Sequence, residues 1–169
     1  TQQFRAIGLI AEHTTIPVPE VLWDEPGSDA LGAPFFVMRR IHGVVPPDVM
    51  PYTFGDCWVT DATDEDRQRM EAGTIEVLAQ LREIPDPLTT FDVLANPRTD
   101  STQSPLRQHV EANKRWLHWA TNGVGSPLID ACFEWLEAHW PESESEAVVS
   151  WGDARIGNVM YRDFEPVAV

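Results

Sequence analysis

Two side chains that could do chemistry stand five residues apart, at Asp153 and Asn158. They follow the apolar run Val148-Val149 and precede a second apolar run, an order that predicts strand, tight loop and strand. Such a pair suits phosphoryl transfer, because an Asp can orient and deprotonate a substrate hydroxyl while an Asn oxygen can hold Mg²⁺ on nucleotide phosphates. The spacing alone is a weak signal, since an ordinary polar hairpin loop can contain it by chance.

The loop lies inside a longer string. It reads Ser150-Trp151-Gly152-Asp153-Ala154-Arg155-Ile156-Gly157-Asn158-Val159-Met160-Tyr161, then Arg162-Asp163-Phe164-Glu165-Pro166-Val167-Ala168-Val169. This string resembles the catalytic-loop segment of the aminoglycoside phosphotransferase family, which has the protein-kinase-like fold. The resemblance implies that Asp153 is the catalytic Asp and that Asn158 is a magnesium ligand. Trp151 stands where that family usually has His, which leaves the role of that His open.

A second string precedes the loop by about a hundred residues. It reads Gly32-Ala33-Pro34-Phe35-Phe36-Val37-Met38-Arg39-Arg40-Ile41-His42-Gly43-Val44-Val45-Pro46-Pro47. It resembles the same family's last strand of the small lobe and the hinge that follows, where backbone groups bind the adenine edge. The resemblance places the nucleotide contacts at the backbones of Arg39 and Ile41, with Met38 at the back of the pocket. An ordinary strand with a turn at His42-Gly43 is the alternative.

Composition describes an acidic chain with enough apolar residues for a core. The 169 residues are 43% hydrophobic and include seven Trp and seven Phe, which excludes a disordered sequence. The net charge is −15, and Lys114 is the one Lys. Such a chain should be repelled by nucleic acid and by anionic membranes, while a cationic substrate could be attracted.

The cysteines and histidines show no metal-binding or disulfide pattern. Cys57 and Cys132 are far apart, and the five His are scattered, so we expect free thiols in a reducing compartment. No stretch has transmembrane length and no signal peptide is evident, which favours the cytoplasm.

Several elements must position these residues. Apolar spacing predicts a helix over residues 2–13 that is already under way at Thr1. Strands are expected over 20–23 and 34–40, and residues 44–62 should form an ordered loop because their aromatic side chains need burial.

Three helices should follow. The first, capped at Thr63, is expected to run to about residue 84, and Ser104-Pro105 and Ser126-Pro127 should start the others. A surface excursion is predicted over residues 85–104. The predicted inner faces are Met70, Thr74, Leu78 and Leu81, then Leu106, Val110, Trp116 or Leu117 and Ala120, then Leu128, Ala131 or Cys132 and Trp135 or Leu136.

Parts that the family uses for phosphate binding are not evident. Lys114 lies in a helical stretch, away from the strand that would carry the phosphate-binding Lys. A glycine-rich loop, the Glu partner of that Lys and the second metal-binding Asp are also missing. We therefore expect a partial copy of a longer protein, which alone binds nucleotide weakly and does not turn over.

The interpretation is an α+β, protein-kinase-like chain with a partial small lobe over residues 1–43 and a partial large lobe over 44–169. It implies a phosphotransferase that uses ATP or GTP and Mg²⁺ and acts on a small-molecule hydroxyl. Aminoglycoside, choline-like amine, sugar and hydroxy acid all remain compatible acceptors. A non-catalytic nucleotide- or ligand-binding module and an unrelated acidic domain that binds a protein partner are the alternatives.

The tryptophans permit a sharper hypothesis. Trp116, Trp119, Trp135 and Trp140 could form an aromatic wall that holds a cationic substrate by cation–π contact, with Trp119 the best placed. Tryptophan at helical spacing is more often simple core.

Overall fold

The computed structural model describes residues 1–48, 52–95, 98 and 100–169. Within these ranges, five helices alternate irregularly with two antiparallel strand pairs. The helices are α1 Gln2–His13, α2 Asp64–Arg82, α3 Pro87–Thr90, α4 Pro105–Ala120 and α5 Pro127–Ala138; the strands are β1 Val21–Glu25, β2 Phe35–Met38, β3 Met160–Arg162 and β4 Glu165–Ala168. Short 3₁₀ turns span Tyr52–Phe54, Asp92–Leu94 and Ile156–Asn158. This mixture confirms the predicted α+β class.

The chain divides into two compact units. The first combines residues 1–94 with residues 148–169, and the second is residues 95–147. The first unit holds both strand pairs and every predicted site residue. The lobe boundary between residues 43 and 44 stays a prediction.

Helices α2, α4 and α5 begin directly after the predicted residues Thr63, Ser104 and Ser126. Thr1 Oγ1 accepts a hydrogen bond from the Phe4 N–H at 3.3 Å, in the first turn of α1. Thr63 Oγ1 caps α2 through the Asp66 N–H at 3.2 Å, and three acidic residues in the first turn favour the positive end of the helix dipole. Ser104 caps α4 in the same way, whereas Ser126 forms no side-chain cap.

Two apolar clusters form the core of the first unit. One contains Ile16, Val77, Leu81, Ile84 and Phe91; the other contains Val59, Met70, Val159 and Tyr161. Helix α2 contributes to both, so it is the element on which the hairpin of β3 and β4 packs. Trp151 and Val169 contact both clusters.

The buried face of α2 corrects one predicted residue. Met70, Val77 and Leu81 are buried, whereas Leu78 is 40% exposed. On a helix Leu78 is rotated by about 80° from Met70, and Val77 by only about 20°. Val77 therefore lies nearer the centre of the apolar stripe.

One strand prediction and two loop predictions are also corrected. Val148 and Val149 form no strand, so an irregular segment leads into the catalytic-loop string. Phe54 is exposed, so not every aromatic side chain of the 44–62 loop is buried. Phe91 is buried in the core, so the 85–104 excursion is partly internal. Pro51, Asn96, Pro97 and Thr99, which belong to these two predicted loops, lie outside the described residues.

Ion pairs connect the two helices of the second unit. Glu137 of α5 accepts hydrogen bonds from Arg107 at 2.5 Å and from Lys114 at 2.8 Å, both on α4. Hydrogen bonding to Glu137 raises the pKa of Lys114, and the same bond lowers the pKa of Glu137. The Arg107 guanidinium also lies 3.4 Å from the centre of the Trp140 ring.

The predicted inner faces of α4 and α5 are mostly wrong. Val110 is buried and Leu117 is half-buried as expected, but Leu106, Trp116 and Ala120 are exposed. On α5 the predicted residues Leu128, Ala131, Cys132, Trp135 and Leu136 are all exposed, and Phe133 is the half-buried one. Spacing identified two helices, but not which face is covered.

Candidate active site

The loop that carries Asp153 is closed by its own backbone. The Arg155 N–H donates to the Asp153 carbonyl at 3.0 Å, and the Asn158 N–H donates to the Arg155 carbonyl at 2.9 Å. A 3₁₀ turn over Ile156–Asn158 then delivers the chain to Val159, which is fully buried. The loop thus returns on itself within a few residues, which brings positions 153 and 158 together.

The two residues singled out from the sequence are in direct contact. Asn158 Nδ2 donates to the Asp153 carboxylate oxygen Oδ2 at 2.9 Å and to the Asp153 backbone carbonyl at 2.9 Å. The Asp153 side chain remains 69% exposed, so the carboxylate is fixed in direction and open to solvent. A carboxylate held in this way can accept a proton from a hydroxyl placed beside it.

The amide orientation determines what Asn158 can offer a metal. With Nδ2 bonded to Asp153, the opposite atom, Oδ1, accepts no hydrogen bond from any described residue. Amide oxygens are suitable ligands for Mg²⁺, and Mg²⁺ commonly completes its shell with water and phosphate oxygens. Within the described part of the chain there is no group of three or more His, Cys, Asp or Glu that could hold a metal by itself. The Asn158 amide oxygen therefore suits a metal whose other ligands are water and phosphate oxygens.

Sequence reasoning assigned no role to Arg155 or Asp48, which complete the polar cluster. Arg155 Nε donates to Asp153 Oδ2 at 3.2 Å, and Arg155 Nη1 donates to both carboxylate oxygens of Asp48. The hydrogen bond to Asp48 and then that to Asp153 raise the pKa of Arg155. Arg155 stands inside the loop string, which could have identified it, whereas nothing in the sequence linked Asp48 to a loop 107 positions away.

The strand after the loop anchors the cluster in the core. Tyr161 is 0% exposed, and its hydroxyl lies 2.7 Å from Thr74 Oγ1 of α2. Because Thr74 donates its own proton to the Met70 carbonyl at 2.8 Å, Tyr161 donates to Thr74. Burial raises the pKa of Tyr161. The hydrogen bond from Tyr161 to Thr74 therefore fixes the position of the loop relative to α2.

The predicted hinge leaves two backbone groups available. The Arg39 N–H donates to the Glu20 carbonyl at 2.8 Å, which continues the β1–β2 ladder. No described residue bonds to the Arg39 carbonyl or accepts from the Ile41 N–H. A carbonyl at one residue and an N–H two residues later form the acceptor and donor pair that a purine edge requires. Met38 is exposed, and its place at the back of a nucleotide pocket stays a prediction.

The predicted hinge and the β3–β4 hairpin are joined through their backbones. Val44 and Tyr161 exchange two N–H···O=C hydrogen bonds, each 2.8 Å long. Arg162 also donates to the His42 carbonyl. Gly43 lies directly against β3, so that a Cβ atom there would be 2.5 Å from Met160 Cγ. The two strings noted in the sequence thus meet in one place.

Trp151 occupies the position of the usual family His and packs into the core. It is half-buried and contacts both apolar clusters of the first unit. Its role here is packing beneath the loop.

Two cavities lie away from Asp153. One, of about 590 Å³, is lined by Glu12, His13, Thr14, Thr15, Glu76, Gln80 and Glu83. The other, of about 280 Å³, lies in the second unit and is lined by Lys114, Leu117, His118, Thr121, Gly123, Val124, Gly125, Asp130 and Phe133. Neither contains a predicted site residue.

Comparison with known proteins resolves the family. The model of the phosphotransferase enzyme family matches residues 1–169, the whole sequence in hand. The chain belongs to this phosphotransferase family. A crystal structure from Ralstonia eutropha, titled a "putative aminoglycoside phosphotransferase", superposes with a TM-score of 0.66 at 17% identity, over 99% of this chain. At that identity the likeness confirms the kinase-like fold and nothing finer.

This phosphotransferase-family chain spans about half of its solved relative, since it covers 47% of that protein. The partial kinase-like fold expected from the sequence is therefore confirmed. The roles of Asp153, Asn158, Met38, Arg39 and Ile41 stay predictions, now supported by a geometry in which the first two touch. None of the helices in the described ranges is long and apolar enough to cross a membrane.

Proposed function

We propose that this protein transfers the γ-phosphate of ATP or GTP to a hydroxyl of a small molecule. Asp153 is the catalytic base, Asn158 is a Mg²⁺ ligand, and the Arg39 carbonyl and Ile41 N–H bind the base of the nucleotide. The observation that carries the proposal is the 2.9 Å hydrogen bond from Asn158 Nδ2 to Asp153 Oδ2. It holds the base and the metal ligand side by side in a chain that matches the family along its length.

The proposed reaction requires no covalent bond between the protein and the transferred phosphate. Asp153 orients the acceptor hydroxyl and takes its proton as the oxygen attacks the γ-phosphorus. Its hydrogen bonds from Asn158 and Arg155 keep the carboxylate in one orientation before the acceptor arrives. Bound Mg²⁺ would neutralise phosphate charge, with the Asn158 amide oxygen as its contact to this loop. Catalysis is positioning and charge neutralisation, with no covalent intermediate.

A non-catalytic binding module is the second candidate. It is favoured by Lys114, the one Lys of the sequence, whose ammonium is 2.8 Å from Glu137 and 3.1 Å from Glu111. It is also favoured by Trp151, which packs where the family usually has His. Such a module would bind Mg·ATP without transferring phosphate.

Charge and exposed aromatic side chains indicate the class of acceptor. A net charge of −15 supports a cationic small molecule and disfavours nucleic acid and anionic membranes as partners. The Trp140 face is taken by Arg107, whereas Trp119 is 74% exposed and available to a ligand. The two free thiols, Cys57 and Cys132, support a cytoplasmic location.

Radiolabelled phosphate transfer tests the proposal directly. The full-length protein is incubated with γ-labelled ATP or GTP, Mg²⁺ and a panel of an aminoglycoside, a choline-like amine, a sugar and a hydroxy acid. Asp153→Asn should lower transfer by about 10²–10⁴-fold while the melting temperature stays nearly unchanged, because the side chain is exposed. Asp163→Asn is the matched control, since Asp163 is exposed and its φ of 50° is one that Asn tolerates.

Two results would decide against catalysis by this loop. Equal transfer by the wild type and Asp153→Asn would remove Asp153 from the mechanism. Saturable Mg·ATP binding without transfer to any acceptor, in both proteins, would favour the binding module.

A further inference from the structure

Arg155 is shared between two carboxylates that have different positions in the site. Its Nε faces Asp153, while its Nη1 donates to both oxygens of Asp48, at 2.5 Å for Oδ2. Asp48 comes from the segment that follows the Val44–Tyr161 bridge, so it approaches the loop from the hinge side. One guanidinium therefore carries two anions, and the three groups together have a net negative charge.

The loop is shaped to receive Asp48. A Cβ atom on Gly157 would lie 3.0 Å from both Cγ and Oδ1 of Asp48, closer than nine in ten real Cβ contacts. The absence of a side chain at position 157 thus lets the carboxylate lie against the loop backbone. Asp48 thus contacts the loop at Gly157 as well as at Arg155, with its side chain 48% exposed.

The pair is also easily exchanged. The side chains of Arg155 and Asp48 are 49% and 48% exposed, and ion pairs with such exposure contribute little because water solvates both partners. A guanidinium binds phosphate with the same two-oxygen geometry that it uses for a carboxylate, and a phosphate carries more charge. A phosphate that reached Arg155 would compete well with Asp48.

A phosphate near Asp153 needs such a cation. The Asp153 carboxylate repels a polyphosphate, and among the described residues Arg155 is the one basic side chain that forms an ion pair with Asp153. Arg155 is thus placed to bind a phosphate that approaches the catalytic base.

We propose that Asp48 occupies, on Arg155, the place that a phosphate group of the nucleotide takes, so that the Asp48–Arg155 pair is a self-inhibitory contact. The inference rests on the proposed function and adds its phosphate contact and a regulatory residue. Phosphate binding displaces Asp48 from the guanidinium, and Arg155 keeps its hydrogen bond to Asp153.

Calorimetric binding of tripolyphosphate, a probe that needs neither a base pocket nor an acceptor, tests the exchange in the full-length protein. Asp48→Asn should bind tripolyphosphate about three- to tenfold more tightly than the wild type, since Arg155 loses a competitor. Arg155→Gln should bind about tenfold more weakly, and Arg155→Lys should fall between, because it keeps the charge and loses the fork. In the double variant Asp48→Asn/Arg155→Gln the gain from Asp48→Asn should disappear.

Asp92→Asn is the matched control for charge. Asp92 forms an exposed ion pair with Arg5 at 3.2 Å in the same unit, so its replacement changes the net charge equally. It should change tripolyphosphate affinity less than twofold, because a remote exposed charge is screened by salt. Melting temperatures of all variants exclude unfolding as the cause.

Three outcomes would overturn the proposal. The first is an equal gain in tripolyphosphate affinity in Asp48→Asn and Asp92→Asn. The second is a gain in affinity from Asp48→Asn that persists when Arg155 is replaced by Gln. The third is no measurable tripolyphosphate binding by either the wild type or Asp48→Asn. Comparing Mg·ATP with Mg·ADP identifies which phosphate Arg155 binds. If Arg155→Gln weakens the binding of Mg·ATP and leaves that of Mg·ADP unchanged, Arg155 binds the terminal phosphate. If the exchange is observed and Asp153-dependent transfer is not, the proposed function fails while the phosphate site stands.

Discussion

Gly43 of the predicted hinge lies against Met160 of the β3–β4 hairpin, with 2.5 Å between a Cβ placed on Gly43 and Met160 Cγ. The same Cβ would be 2.7 Å from the Tyr161 carbonyl oxygen, which is backbone and cannot rotate away. Only a residue without a side chain permits the paired hydrogen bonds between Val44 and Tyr161. The contact therefore fixes the distance between the predicted hinge and the loop.

Gly43→Ala should consequently separate the two segments. We expect a loss of about 1–3 kcal/mol in unfolding free energy from overpacking, together with weaker nucleotide binding. Chemical denaturation and a fluorescent nucleotide titration measure the two effects. Gly55→Ala is the control, because among the described residues none beyond its two chain neighbours lies within 4 Å of its Cβ position. An Ala at position 43 as harmless as one at 55 would contradict the close contact.

Asn158→Ala should weaken Mg²⁺-dependent nucleotide binding more than metal-free binding. The amide oxygen that faces away from Asp153 is the proposed metal contact, and only metal-bridged phosphates lose it. Titrations with ATP in Mg²⁺ and in EDTA give the ratio of the two effects. An equal loss in both would show that Asn158 acts only by holding Asp153.

Tyr161→Phe should cost about 1 kcal/mol of unfolding free energy, because the buried hydroxyl loses its bond to Thr74. Thr74 remains bonded to the Met70 carbonyl, so no donor is stranded. Urea denaturation of the two proteins at pH 7 measures the difference, and an unchanged midpoint would contradict it.

The same residue predicts a pH dependence. Burial raises the pKa of Tyr161 above its ordinary 10.0, so the unfolded chain loses that proton first as the pH rises. The contribution is fully present below pH 10 and is lost as the pH rises through the higher folded value. Denaturation midpoints between pH 9 and 11 should fall in the wild type by more than in Tyr161→Phe. Parallel curves would show that Tyr161 is not protonated preferentially in the folded state.

Trp151→His should destabilise the protein without raising phosphate transfer. Although His is the usual residue of the family there, Trp151 contacts both apolar clusters, so the smaller polar ring loses packing worth about 2–4 kcal/mol. Trp151→Phe should lose less. Thermal unfolding and the transfer assay check both variants, and a faster Trp151→His enzyme would contradict the packing role.

Sequence reasoning succeeded where one local signal decided the outcome. The Thr63 and Ser104 caps and the proline in the first turn of α4 set where α2 and α4 begin. Asp153 and Asn158 are in contact, as their spacing suggested, because a tight turn joins two residues that are only five positions apart.

Sequence reasoning failed where the structure depends on contacts between segments that are distant in the sequence. Leu128 and Trp135 have ideal helical spacing, yet both are exposed, because which face of a helix is covered depends on what packs on it. Val148 and Val149 have β-branched side chains but no partner strand, and a strand requires a neighbour. The Asp48–Arg155 pair joins residues 107 positions apart and has no local signature.

The first unit is built from two separate stretches of the chain, and this affects how it folds during synthesis. Residues 148–169 complete a core begun by residues 1–94, and the whole second unit is synthesised between them. At about 5–20 residues per second, the part of α2 around Met70 waits several seconds on the ribosome before Val159 and Tyr161 can cover it. During that interval Met70 is open to chaperones and to other nascent chains. The loop that carries Asp153 can therefore pack on α2 only after the second unit has been synthesised, through long-range contacts that form slowly.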